Sequence, residues 1–310
     1  MKNITSSLQN TKGQPCPVLA IGNFDGMHRG HSALFQKVIA MASEKKGTSM
    51  VLTFDPHPAQ VLRPKKDFRL LTPMENRLQR IIDCGIDRAI REPFTPELAE
   101  LSPEDFVRDI LVERLEVKGV WVGSGFLFGK GRKGTTDLLS RLGSQNGFSV
   151  DIMEPVKEGK EKISSSRVRL TIESGDVEMA GKLLGRPYSI QGTVSKGRRV
   201  GSALGFPTAN LDFVDYVVPA KGVYASRVRV LETEYNGVVN IGVNPTFDRG
   251  RLCVEVHLFE FNKNVYGESA EIFFIRRIRS EIAFSSANAL VHQIRQDVQQ
   301  AKTILSEPSI

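Results

Sequence analysis

The sequence has little of the chemistry that marks several classes of protein. Its three cysteines, Cys16, Cys84 and Cys253, are isolated and lack metal-ligand spacing, so buried or incidental thiols are expected instead of disulfides or a zinc site. No apolar run approaches the roughly 20 residues that a membrane helix needs. The polar first 17 residues have neither the apolar core of a signal peptide nor the arginine-rich character of a transit peptide. A soluble, cytoplasmic protein is therefore expected.

The charge of the chain predicts an anionic partner. The 310 residues carry a formal net charge of +7, and this length favours two domains. The basic residues are densest at 129–134 (GKGRKG) and 196–199 (KGRR), where they lie among glycines. Such loops suit the phosphates of a nucleotide better than a duplex backbone, although solvated surface loops remain an alternative.

The pattern of residues 1–184 predicts an α/β domain of the Rossmann-like kind. Apolar runs at 18–21, 50–54 and 117–123 alternate with helical patterns at 31–42 and 102–115. The second helix has a clear start, with Ser102 as N-cap and Pro103 at the first helical position. This alternation indicates a parallel sheet with helices on both faces, and such sheets bind ligands beyond the carboxyl ends of their strands.

The pattern changes in residues 185–310. Short β-rich segments (YSIQGTV, GVYASRVRV, GVVNIGV, CVEVHLFEF and AEIFFIRRI) recur between turn signals and predict an antiparallel barrel or sandwich. Of the two, a small antiparallel β-barrel is expected. A single helix is expected to close the chain, with Ser285 or Ser286 as its cap. The apolar stripe of this helix comprises Leu290, Ile294, Val298, Ala301 and Leu305.

The stretch LAIGNFDGMHRGH (19–31) places glycines and two histidines between the first strand and the first helix. Glycine lets the backbone approach a ligand, and the free N–H groups at a helix start attract anions. His28 and His31, three residues apart, would face a bound phosphate together and stabilise charge that develops on it. Two alternatives stay open. The pair could bind a metal, with His57 as the other candidate in this domain, or the histidines could be structural.

This stretch resembles the GxFDGxHxGH signature of the bacterial bifunctional riboflavin kinase/FAD synthetases, and two further motifs strengthen the likeness. TFDPHP (53–58) is similar to the second motif of the family's nucleotidyltransferase half. ISSSRVR (163–169) is similar to its ISSTxxR, where serines and an arginine hold ATP phosphates. A helix start capped by serine explains the latter equally well. The resemblance implies catalytic roles for His28 and His31. The ATP-binding residues it implies are Gly22, Phe24, Asp25, Gly26, His57, Ser164, Ser165, Ser166 and Arg169.

One position departs from the family. The segment 121–134 (WVGSGFLFGKGRKG) is similar to VGxxFxFGKGRxG, but Gly125 stands where the family usually has Asn or Asp. The resemblance implies that Phe126 and Phe128 contact a flavin, although packing in the core is the more common role of such aromatics. Gly125 keeps open the alternative of a riboflavin kinase whose adenylyltransferase domain is weak or inactive.

The segment 192–211 (GTVSKGRRVGSALGFPTANL) resembles the family's riboflavin kinase signature. The resemblance implies that Thr208 and Asn210 bind Mg²⁺, which prefers hard oxygen ligands. It also implies ATP-phosphate contacts at Gly197, Gly205 and Pro207, where a glycine-rich basic loop would let backbone amides approach.

Glu255 matches the family's catalytic Glu, which accepts the proton of the riboflavin 5′-hydroxyl. In a strand with period two, Glu255, His257 and Phe259 share the face opposite Val254 and Val256. The sequence thus predicts a bifunctional enzyme that uses ATP and Mg²⁺ to convert riboflavin to FMN and then FMN to FAD. Its partners would be riboflavin, FMN and ATP, with no membrane or nucleic acid. The competitor from another class is a basic nucleic-acid-binding or flavin-sensing module, for which only the charge argues.

Overall fold

A computed structural model of the protein describes residues 4–5, 7–8, 11–62, 68–196, 206–213, 216–243 and 252–307. The chain divides into two compact units, Met1–Ser165 and Ser166–Ile310. Compactness thus groups residues 166–184 with the second unit, whereas the predicted domains end and begin at residues 184 and 185. That predicted boundary stays a prediction.

The first unit contains a parallel sheet, as predicted. Within its described residues the strand order is β1-β4-β3-β2-β5-β6, and every pairing is parallel. The strands are β1 (Ile4–Thr5), β2 (Val18–Ile21), β3 (Ser49–Asp55), β4 (Arg88–Pro93), β5 (Gly119–Gly123) and β6 (Ser149–Met153). The central strands are buried on both sides, which explains why they are apolar runs without alternation.

Helices cover both faces of this sheet. Val18 and Ala20 of β2 pack in one cluster with α1 and α3, while Leu19 and Ile21 face a second cluster that includes α6. The helices are α1 (Arg29–Glu44), α2 (Pro58–Leu62), α3 (Met74–Asp83), α4 (Pro96–Glu100), α5 (Pro103–Asp105) and α6 (Thr136–Gln145). A hairpin of β7 (Lys157–Glu158) and β8 (Glu161–Lys162) follows β6. The predicted Rossmann-like layering is therefore confirmed.

The predicted helix at 102–115 begins where expected but changes its hydrogen bonding. Ser102 Oγ accepts the backbone N–H of Asp105 at 3.0 Å, which confirms the N-cap. After α5 the chain continues as a π-helix over Phe106–Val112. In this segment Phe106, Ile110 and Leu111 are buried in the same core cluster as Leu19 and Ile21 of β2.

The second unit contains a closed antiparallel barrel, which confirms the predicted β-barrel. In the described residues its order is β10-β13-β12-β11-β14-β9. The elements are α7 (Ser165–Glu173), α8 (Val177–Leu184), β9 (Tyr188–Ser195), β10 (Ala209–Asp212), β11 (Gly222–Val230), β12 (Thr233–Val243), β13 (Leu252–Leu258), β14 (Ser269–Arg279) and α9 (Ala287–Ser306). Closure pairs every strand on both sides and so removes the exposed edges that an open sheet presents.

The terminal helix α9 is capped by Ser286, whose Oγ accepts the N–H of Ala289 at 3.2 Å. Its predicted apolar stripe divides into two parts. Ala301, Ile304 and Leu305 are buried against the barrel. Leu290, Ile294 and Val298 line a cavity instead. None of the helices in the described ranges is long and apolar enough to cross a bilayer.

Candidate active sites

The first candidate site lies in the loop between β2 and α1. Phe24, Gly26 and Met27 have φ values of 50°, 87° and 45°. Bulky side chains rarely adopt this left-handed region, so Phe24 and Met27 mark a strained backbone, and strain of this kind clusters at functional sites. The loop leaves the carboxyl end of β2, the segment containing His57 follows β3, and Gly125 follows β5. Since the strands are parallel, the structure gathers all three segments at one edge of the sheet, as predicted.

Gly22 and Gly26 in this loop and Gly30 in the first turn of α1 are each required for a specific reason. A Cβ on Gly22 would lie 3.0 Å from the ring of Phe24, and a Cβ on Gly30 would lie 3.1 Å from the ring of His28. Gly26 instead supplies a positive φ at the turn. The absence of a side chain at Gly22 and Gly30 therefore makes room for the rings of Phe24 and His28.

The two histidines stack on each other. His28 is the N-cap of α1, one residue before the helix, and its Nδ1 accepts the N–H of His31 at 3.3 Å. The imidazole centroids are 3.5 Å apart with an interplanar angle of 19°. The ring of Phe24 meets that of His31 edge-on at 5.2 Å. The predicted juxtaposition of His28 and His31 is confirmed, and it lies at a helix N-terminus, where anions are stabilised.

The contacts that the structure shows for the Asp25 side chain are with other parts of the protein. Its carboxylate is buried and accepts the backbone N–H groups of Leu71 and Thr72 at 3.0 Å. Arg77 Nη2 lies 3.5 Å from the same carboxylate. Ser165, the last residue of the first unit, donates its Oγ hydrogen to the carbonyl oxygen of Asp25 at 2.8 Å. The ATP contact implied for Asp25 stays a prediction; its observed contacts hold the loop in shape.

The other residues implied in ATP binding do not lie in one segment of the structure. Nδ1 of His57 accepts the N–H of Ala59 at 3.1 Å, and its ring lies against Phe68. Ser164 belongs to the first unit, whereas Ser166 and Arg169 lie on the part of α7 that belongs to the second. Their predicted phosphate contacts stay predictions.

The implied flavin contacts divide between surface and core. Phe128 is buried and packs with Phe106 at 5.6 Å, while Phe126 stacks on Phe128 at 5.6 Å and is half-buried. Core packing, the alternative reading, describes Phe128; the flavin role of both residues stays a prediction. Gly125 is exposed, and a Cβ added to it would meet no atom within 4 Å.

The second candidate site is a cavity of about 330 Å³ between the barrel and α9. Glu255 on β13 pairs with Asn210 on β10 and with Asn240 on β12, so the three polar residues form one row across adjacent strands. Glu255, Asn240 and Thr208 line the cavity. As predicted, Glu255 lies on the face opposite the buried Val254 and Val256. The barrel thus presents a carboxylate beside a pocket of ligand size.

The donor set suits a magnesium ion. The Oδ1 atom of Asn210 is buried and has no hydrogen-bond partner among the residues that the structure describes. A buried carbonyl without a partner is costly, and a hard cation would satisfy it. Thr208 lies two residues away and adds a hydroxyl. The carbonyl oxygen of Pro207 lies 2.8 Å from His257 Nδ1. The predictions for Gly197 and Gly205 lie outside the described residues.

An ion pair that the sequence analysis did not identify joins α9 to the barrel. Arg279 at the end of β14 binds Asp297 through three N–H···O bonds of 2.7–3.1 Å, and Gln293 donates to Asp297 at 2.9 Å. Arg279 and Asp297 both line the cavity. Eighteen residues separate the two, so no local pattern signals the pair. Asn240 could have been found, because it begins the NIGVNPTF stretch and alternates with buried apolar residues.

Comparisons with known proteins agree with this architecture. A FAD synthetase family model matches residues 10–167, and a riboflavin kinase model matches residues 184–305. Three relatives are each described as a bifunctional riboflavin kinase/FMN adenylyltransferase. The protein from Bacillus subtilis is 40% identical, and the match covers 92% of this chain and 91% of that protein. That from Listeria monocytogenes is 37% identical, with 94% and 93% covered. That from Escherichia coli K12 is 38% identical, with 90% of each covered.

A solved structure from Streptococcus pneumoniae, titled a macrolide-efflux protein, has the same fold. Its TM-score is 0.88 at 30% identity, and the match covers 96% of this chain and 98% of that one. The fold and the two sites define a nucleotidyltransferase-type α/β domain joined to a riboflavin kinase barrel. The chain belongs to the bifunctional riboflavin kinase/FMN adenylyltransferase family, and it carries both the FAD synthetase and the riboflavin kinase domains.

Proposed function

We propose that this chain makes FAD from riboflavin in two ATP-dependent steps, one in each domain. In the first step riboflavin takes the γ-phosphoryl group of ATP, giving FMN and ADP. In the second, the FMN phosphate attacks the α-phosphorus of another ATP, giving FAD and pyrophosphate. The observation that carries the proposal is the row Asn210–Glu255–Asn240 beside a cavity of ligand size in the riboflavin kinase domain.

Glu255 is assigned as the general base of the kinase step. Its carboxylate would accept the proton of the 5′-hydroxyl as that oxygen attacks the γ-phosphorus and ADP leaves. The mixed lining of the cavity supports a flavin as the occupant, because Ile294, Val298 and Val223 are apolar while Arg279 and Glu281 are charged. An isoalloxazine has the same mixture of a flat apolar surface and a polar edge.

Thr208 and Asn210 are assigned as the residues that hold Mg²⁺. The buried Oδ1 atom of Asn210, which accepts no hydrogen bond from the described part of the chain, supports this assignment. The ion, when bound with ATP, neutralises phosphate charge. Asn210 lies directly opposite Glu255 in the strand register. The phosphates and the base would therefore meet at one end of the cavity.

The adenylyl-transfer step is assigned to the loop between β2 and α1. ATP phosphates would bind at the N-terminus of α1, where backbone N–H groups and the helix dipole favour anions. His28 and His31 would donate hydrogen bonds to charge that develops at the α-phosphorus. Their 3.5 Å stacking keeps both rings at the same place. Positioning and positive charge would then supply the catalysis.

The test is a time course of the purified protein with riboflavin, ATP and Mg²⁺, with the flavins separated by chromatography. FMN that appears first and FAD that follows it are the expected result. FMN alone would favour a kinase with an impaired second domain, and unchanged riboflavin would overturn the proposal.

We propose a cytoplasmic enzyme without a nucleic-acid partner, since the basic loops already have nucleotide phosphates to bind. Filter binding of DNA and RNA across a salt titration checks this. Retention at moderate salt would favour the basic-module alternative.

A further inference from the structure

Helix α3 presents an arginine to the interior of the FAD synthetase domain. Positions 74, 77, 78 and 81 share one helical face, on which Met74, Leu78 and Ile81 are buried apolar residues. Arg77 lies on this face with 1% of its side chain exposed. A charged side chain is almost never buried so completely unless it is paired. Its partners therefore explain its position.

The guanidinium of Arg77 connects the nucleotide loop to the segment before α3. Nη1 donates to the carbonyl oxygen of Asn23 at 2.8 Å, and Nη2 donates to that of Thr72 at 3.0 Å. Nη2 also lies 3.5 Å from the carboxylate of Asp25. Burial lowers the pKa of Arg77, and the negative charges of Asp25 and Asp55 act against that shift. The planar fork thus holds two backbone carbonyls and faces one carboxylate.

These contacts reach the strained part of the loop. Asn23 precedes Phe24, whose φ is 50° and whose ring meets His31. A positive φ at a bulky residue persists only where the surroundings impose it. Arg77 also places a positive charge beside the buried Asp25 carboxylate, close to where an anionic nucleotide would bind. Without that charge, Asp25 would repel the phosphates.

We propose that Arg77 is a positioning residue for adenylyl transfer, which holds loop 22–28 in the shape that binds ATP. The inference rests on the proposed function, since it needs the loop to be the ATP site. It also makes a distinctive prediction: damage at Arg77 affects only one of the two activities of the chain.

The experiment compares Arg77→Lys and Arg77→Gln with the unaltered full chain. Lysine keeps the charge but cannot make the planar fork, whereas glutamine loses the charge as well. Arg108→Lys is the matched control, because Arg108 pairs with Asp105 and Asp109 in the same unit, on a segment that packs in the other core cluster than the loop does. Adenylyl transfer is measured with supplied FMN, and the kinase with riboflavin.

We expect Arg77→Lys to lower kcat/KM for ATP in adenylyl transfer about 10-fold and Arg77→Gln about 100-fold, mainly through KM for ATP. Kinase parameters should stay within about twofold of the unaltered chain, and Arg108→Lys should change neither activity. The single tryptophan, Trp121 on β5, reports the folding of the first unit by fluorescence. Rates are therefore taken at a temperature where its signal shows that unit folded.

A merely stabilising role for Arg77 predicts another result. Both variants would then melt earlier by Trp121 fluorescence yet recover the unaltered kcat/KM for ATP at 10 °C, and this recovery would overturn the inference. Equal loss of both activities would overturn it as well. If the unaltered chain makes no FAD from supplied FMN, the proposed function itself has failed, and that result is separate from any effect of the substitutions.

Discussion

The two candidate sites of this chain are built in opposite ways. The adenylyl-transfer loop takes its glycines and both histidines from ten consecutive residues, Gly22 to His31. The kinase cavity takes its lining from positions between 206 and 298, on several strands and on α9. The first site depends on an unusual backbone shape, and the second depends on packing between elements. Substitutions at residues that hold the loop backbone should therefore impair the first site. Substitutions at residues that line the cavity should impair the second.

The largest expected effect separates the two activities. Glu255→Gln removes the proposed base but keeps the size of the side chain, so FMN formation should fall by about 10²- to 10⁴-fold. Adenylylation of supplied FMN should be unchanged because it takes place in the other domain. Glu271→Gln is the control, since Glu271 lies on the same barrel but binds Ser189 and Arg229 outside the cavity. FMN formation near the unaltered rate in Glu255→Gln would contradict the assignment.

A smaller effect is expected at the ion pair that joins α9 to the barrel. Asp297→Asn removes a buried charge that Arg279 binds through three hydrogen bonds. Because the charge of Arg279 would lose its partner, the cavity wall should loosen, and we expect KM for riboflavin to rise about 10-fold. Steady-state kinase kinetics measure this, with FMN adenylylation as the unaffected reference. An unchanged KM for riboflavin would show that the pair only stabilises the fold.

Gly125→Asn is expected to increase the adenylyl-transfer activity of the first site, whereas the substitutions above decrease an activity. The structure leaves open space for the side chain. A typical added hydrogen bond is worth about 0.5–1.5 kcal/mol net, so FAD formation from FMN should rise by no more than about 10-fold. Kinetics at limiting ATP measure the gain. No change would mean that another group already compensates for Gly125 and would remove the argument for a weak adenylyltransferase.

The smallest expected effect is on how the stability of the barrel depends on pH. Burial raises the pKa of Tyr224 from 10.0 to about 12, and its hydroxyl donates to the carbonyl of Ala220. Because the phenol ionises first in the unfolded chain, Tyr224 stabilises the fold below pH 10, and this stability is lost as the pH rises from 10 through 12. Tyr224→Phe should cost about 1 kcal/mol at neutral pH and weaken the alkaline dependence. Unfolding curves between pH 7 and 11 check it; an equally steep alkaline loss in the variant would contradict the argument.

Much of the fold was predictable because its signals are local. The strands at 18–21 and 50–54, the Ser102 cap and the closing helix all follow from periodicity and capping within a few residues. The barrel was predicted, but the pairing that closes it was not, because closure depends on β9 pairing with both β10 and β14. The change to π-helical hydrogen bonding after Asp105 was not predictable either. It depends on how residues 106–112 pack against the sheet, and helix propensity does not signal it.

The sequence by itself determined the two-part organisation, the neighbouring histidines and the position of Glu255 on the polar face of its strand. Each of these follows from residues close together in the chain. Only the tertiary structure decided that Asp25 and Arg77 support the loop, that Asn210 and Asn240 flank Glu255, and that Arg279 binds Asp297. Arg279 and Asp297 are 18 residues apart, Asp25 and Arg77 are 52 residues apart, and the asparagines come from strands matched by register. Their energies come from burial and pairing, which exist only once distant segments have been brought together.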